Sequence, residues 1–187
     1  MSSGYRRIFW GFFIMNFHIN IGIIKILPPF IGLIVIGRGV ELLYENSKHY
    51  RFKEAKKFVI LATIFSIVFE LLGFIPIEGI LWELTSSVLM AAYAILNLLF
   101  IFKILEGAIE VLKSEDNLEL VDRYIEIQKI HLIIDIISII LINISLIYRV
   151  MWLGIVGGII GIGLIIYIMV AIGKLETLYR QEDPDII

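Results

Sequence analysis

Residues 150–173 contain no charged side chain, and neither do residues 84–102. A helix rises about 1.5 Å per residue, so runs of this length cross the roughly 30 Å hydrocarbon core of a bilayer. Nearly all the charge sits in short stretches between such runs. In lipid every backbone polar group must be satisfied within the protein, which leaves helices as the way to use these segments. The expected fold class is an all-α integral membrane protein.

Composition agrees. The chain is 59% hydrophobic with a mean hydropathy of +0.94, against roughly 45–50% apolar residues in soluble domains. The net charge of −2 says little, because the charges are segregated. There is no cysteine, so disulfides, zinc–thiolate sites, iron–sulfur clusters and cysteine nucleophiles are excluded. Arg6-Arg7-Ile-Phe resembles a twin-arginine signal. No small-x-small cleavage site follows the first apolar run, so the pair reads as a basic flank of a first helix.

Six spans are expected, at about 8–24, 28–45, 57–77, 79–103, 129–148 and 150–173. Pro28-Pro29 separates the first two, since proline cannot continue the preceding helix. Gly73 to Gly79 turns between the third and fourth. A turn at Tyr148-Arg149 follows from length, because 129–173 as one helix is too long for a bilayer. Apart from Arg38, within the second span, the basic residues fall in the N-terminal tail, in 46–57, in 103–129 and after Gly173; the other side has only Lys25 and Arg149. The positive-inside rule then places both termini in the cytoplasm, in a multi-pass protein of the cell membrane. Residues 104–128 are patterned as helix and are expected to leave the membrane as a cytoplasmic helical extension. Ser114-Glu-Asp-Asn117 interrupts the pattern and can cap the next helix.

A short similarity recurs at the end of each even-numbered span: Gly39-Val-Glu41, Gly107-Ala-Ile-Glu110 and Gly173-Lys-Leu-Glu176. Two readings fit it. The chain is built from three helical-hairpin repeats, or helices ending at the same membrane face need the same few residue types.

The first hairpin carries Phe9-Trp10-Gly11, then Asn20-Ile-Gly22, then Ile26-Leu-Pro-Pro-Phe-Ile-Gly32. It resembles the opening of a group of small multi-span membrane proteins from Gram-positive bacteria, in which an Asn-Gly element precedes Ile-Leu-Pro-x-Phe-Ile-Gly. Here an isoleucine separates Asn20 from Gly22. The resemblance implies a bacterial membrane protein and brings no established activity. The stretch from Asn20 to Pro29 reads either as a broken helix beside a cavity or as a tight turn.

Ionisable groups inside spans are costly and default to the bundle interior. Glu70 lies in the third span, Glu83 in the fourth and Asp135 in the fifth, four residues after His131 and so on the same helix face. Ser138 and Ser145 continue that stripe. Asn16, His18 and Asn20 mark the first span; Asn97 and Asn143 lie deep in the fourth and fifth. One reading is a polar path through the membrane, suited to proton or cation coupling. The other is interhelical hydrogen-bond glue, worth about 0.6 kcal/mol per group on average.

The sixth span carries Gly154, Gly157, Gly158 and Gly161, two interleaved small-xxx-small pairs that allow close helix contact, within the chain or with a second copy. Trp10, Trp82, Tyr148, Trp152 and Tyr179 are expected as interfacial anchors, and His49 is expected among solvent or headgroups. No catalytic signature is present, and no cofactor, metal or nucleic-acid partner is expected. The expected function is a small transporter or the membrane subunit of a transport complex. The alternative is a membrane scaffold or regulator acting through its cytoplasmic loops.

Overall fold

The computed structural model describes residues 1–16, 20–21, 24–25, 28–73 and 79–181; the side chains of 20–21, 24–25 and 80–84 lie outside the description. Within it the chain is helical apart from one two-residue strand pair. The helices are α1 (Ser2–Asn16), α2 (Pro29–Ser47), α3 (Tyr50–Leu72), α4 (Ile80–Ser114), α5 (Leu118–Tyr148) and α6 (Met151–Gln181). Strands β1 (Asn20–Ile21) and β2 (Ile24–Lys25) pair antiparallel between α1 and α2, with Asn20 opposite Lys25. Each helix packs against its neighbours in sequence, and α1 packs on α6, so the six close into a ring.

The first expected span, 8–24, differs from this. Its helix ends at Asn16 and the chain returns through the β1–β2 ladder. At that end the Asn16 side-chain amide donates back to the Phe12 carbonyl at 2.9 Å, a local bond of the kind that competes with helix continuation. Pro29 opens α2, where its missing N–H costs nothing. Lys48, Asp116 and Arg149 take positive φ of 59°, 54° and 55°, so three connections between helices turn on a left-handed residue that is not glycine. This is why the turn at Arg149 carries no glycine or proline signal. Gly79, before α4, has φ 124°, a conformation open essentially to glycine. Asn117 does precede α5, but its side chain makes no capping bond.

The two ends of the bundle differ. Toward the end bearing the 48–49 and 115–117 turns, the helices enclose a core that includes Tyr5, Phe12, Phe52, Phe100, Leu105 and Leu112, all at most 1% exposed. Residues 104–128 belong to this core: Leu105, Ala108, Val111, Leu112, Val121 and Tyr124 are buried, so the inner face of the expected extension is packed rather than free. Toward the other end large apolar side chains face outward, among them Ile64, Val88, Ile133, Ile140, Ile159 and Ile166. A water-soluble surface rarely tolerates so continuous an apolar band. Among the described residues three helices, over Thr85–Ser114, Leu118–Tyr148 and Met151–Gln181, are long and apolar enough to cross a membrane. With 35 residues, α4 is about 52 Å long and overruns a bilayer core by some 20 Å. The overrun forms the packed, charged end.

Tyr148 and Trp152 are exposed at the apolar end, as interfacial anchors would be. Tyr179 is not an anchor. It is 5% exposed, stacks on Tyr5 with ring centroids 5.7 Å apart, and donates its hydroxyl to Glu115 at 2.7 Å.

Candidate functional site

Two of the cavities between the helices hold the polar groups of the expected spans. The larger, about 320 Å³, takes its polar lining from Ser66 and Glu70 of α3, Tyr93 and Asn97 of α4, and Asn143 of α5. The smaller, about 130 Å³, lies between α1, α4, α5 and α6, with Asn16, Asn97, His131 and Asp135 as its polar groups. Ala94 and Asn97 line both, so Asn97 stands between the Glu70 side and the Asp135 side. One turn toward the charged end from Asn16 and Asn97, Phe12 and Phe100 stack at 6.0 Å and fill the interior.

The polar groups are unevenly satisfied. The Tyr93 hydroxyl interacts with the side chains of Asn97 and Ser66 and lies near Glu70. Asn143 donates to the Ile139 carbonyl at 2.8 Å within its own helix. His131 is 1% exposed; its ring approaches the backbone of Leu98, but among the described residues neither ring nitrogen has a well-aligned hydrogen-bond partner. The Asn97 Oδ1 is likewise buried without a partner. Orphaned buried polar atoms cost about 1–3 kcal/mol each and call for an explanation.

The structure thus brings His131, Asp135 and Asn16 to one cavity and Glu70 to the next. Glu83 and Asn20 were singled out from the sequence too, but their side chains lie outside the described residues, as does His18. Ser138 leaves the stripe. Its hydroxyl donates to the Gly157 carbonyl at 2.8 Å, joining α5 to α6. Gly154, Gly157 and Gly161 meet α5 side chains or backbone, while Gly158 has nothing within 4 Å of a built Cβ. Ser66 and Tyr93 escaped the sequence reading. Ser66 lies four residues before Glu70 and Tyr93 four before Asn97, a spacing that puts each pair on one helix face.

The charged end holds a separate network. Arg51 of α3 reaches Glu54 at 3.0 Å and Glu106 and Glu110 of α4 at 3.1 Å each. Lys103 reaches Glu54 at 3.2 Å and Glu106 at 2.9 Å. Hydrogen bonds from Arg51 and then Lys103 hold the Glu54 carboxyl below the usual carboxylate range, and Glu54 in turn raises the Arg51 guanidinium. His49 lies 3.6 Å from Glu110 rather than simply among headgroups. The three recurrent glutamates each pair with a base on an odd-numbered helix: Glu41 with Lys56, Glu110 with Arg51, and Glu176 with Arg6 at 4.0 Å. Among the described residues no three of His, Cys, Asp and Glu converge as a metal site would need.

Comparison of the chain with protein-family models, with curated proteins and with solved structures returns no match.

Proposed function

We propose that this chain is a six-span protein of the cytoplasmic membrane, with both termini inside, that moves a small cationic solute in exchange for protons, alone or as the membrane subunit of a transport complex. The observation that carries the reading is the pair of cavities meeting at Asn97, with a carboxylate on either side: Glu70 in one and Asp135 in the other. A carboxylate within a span is an expensive choice where a neutral side chain would serve as glue. The outward apolar band supports the bilayer as its surroundings, and the Lys and Arg bias supports the orientation. With Phe12 and Phe100 stacked, the path is closed toward the charged end, so transport requires those rings to part.

The test is flux. Purified protein is reconstituted in liposomes with a trapped pH-sensitive dye and challenged with outward gradients of inorganic and organic cations. The reading predicts a lumenal pH change with at least one cation that empty liposomes do not show. No response to any of them, from protein shown to be folded, would put the scaffold alternative ahead.

A further inference from the structure

We infer that the smaller cavity is a binding site for a primary ammonium ion with a short alkyl body. This names the substrate class of the transport reading and rests on it for its purpose.

The donor and acceptor inventory of the cavity leans toward acceptors and carries one full negative charge. Asp135 supplies a carboxylate that makes no ion pair or hydrogen bond among the described residues. Asn97 and His131 also line it, and the Asn97 carbonyl oxygen and both His131 ring nitrogens are buried without a partner among the described residues. Asn16 has committed its amide nitrogen to the Phe12 carbonyl, which leaves its oxygen as an acceptor. Among the described residues no Lys or Arg lines the cavity. The Asp135 carboxylate and the spare oxygens favour a ligand that brings donors and positive charge, and an –NH₃⁺ group brings three donors and no acceptor.

The rest of the wall is apolar: Met15, Ala94, Ile101, Leu164, Ile165 and Ile168. A hard inorganic cation of the calcium or magnesium kind wants six or more oxygens around it, and this wall cannot supply them. An ammonium on a hydrocarbon body suits both halves. A volume of about 130 Å³ equals on the order of four waters at about 30 Å³ each. That fits a chain of about three carbons beyond the nitrogen.

The experiment is binding to the purified full chain in detergent, read by thermal shift and by calorimetry, with methyl-, ethyl-, propyl- and hexylammonium. Tetramethylammonium and propanol are the controls that lack the donors or the charge. Affinity should rise about fourfold per methylene up to propyl, fall for hexyl, and be absent for both controls. Asp135→Asn should weaken propylammonium by roughly tenfold or more, as loss of a charge-assisted bond does. The exposed Lys53→Gln should bind normally. Leu164→Ala lengthens the pocket and should shift the optimum to a longer chain, an outcome that does not depend on how well Asp135→Asn folds. Absence of saturable binding by any primary ammonium, or equal binding by Asp135→Asn, would overturn the site. Binding without cation-driven flux would support the site and sink transport. Flux without ammonium binding would overturn this site and leave transport standing.

Discussion

Gly11 of α1 and Gly32 of α2 meet backbone to backbone: a Cβ built on Gly32 would stand 2.6 Å from the Gly11 carbonyl oxygen. One heptad away, Gly4 and Gly39 repeat the contact, with a Cβ on Gly39 only 2.7 Å from the Gly4 oxygen. Gly32→Ala forces the helices apart and should cost about 1–3 kcal/mol, as overpacking does. Gly158→Ala, facing open space, should change stability by less than about 0.5 kcal/mol. Thermal unfolding in detergent separates the two; equal effects would contradict the seam.

Two buried tyrosines predict opposite outcomes. Tyr124 donates its hydroxyl to the Ala171 carbonyl at 2.6 Å, tying α5 to α6. Tyr124→Phe should lose about 1 kcal/mol. The Tyr5 hydroxyl is buried with no hydrogen-bond partner among the described residues, and burial drives its ionisation far above the ordinary range. Tyr5→Phe keeps the ring against Tyr179 and removes an unsatisfied group, so it should be neutral or stabilising. A large loss at Tyr5 would mean that its hydroxyl is paired.

The charged end should loosen in acid. The Glu54 carboxyl is depressed in the folded state, first by Arg51 and then by Lys103. Such a group contributes stability above the unfolded carboxylate pKa of about 4, and loses it as pH falls through the folded value. Unfolding temperature should therefore drop below about pH 4 in the native protein and drop less in Arg51→Gln, which has already lost the pairs. High salt should shrink the difference, because these side chains are partly exposed to solvent. An identical acid response in both proteins would contradict the assignment.

Topology is tested by labelling. Cysteines placed at Lys48 and Lys113 should react with impermeant reagents only from the cytoplasmic side, and one at Arg149 only from outside. Reaction of Lys48 and Arg149 positions from the same face would overturn the six-span arrangement.

Much of this was legible in the sequence because membrane helices advertise themselves by uncharged length. The starts of α2 at Pro29 and α6 at Met151 fall within a residue of the expected spans. What ran over was the charged end of each helix. Leu105, Leu112 and Val121 keep a helical pattern there, but only contact between helices reveals that they are core. The grouping of His131 with Asp135 followed from four-residue spacing. The link through Asn97 did not, since nothing local tells which face of α4 meets α5. The α1–α2 glycine seam has its seven-residue spacing in both helices, but nothing local pairs Gly11 with Gly32 or Gly4 with Gly39.

In the proposed transport cycle Glu70 and Asp135 serve one path through Asn97. Liposomes carrying Glu70→Gln, Asp135→Asn and the double variant, driven by a cation gradient, separate one path from two. Either single change should abolish the coupled pH signal, and the double variant should be no worse than either alone. Flux that survives either single change with unaltered pH dependence would contradict it and reduce both carboxylates to structural groups.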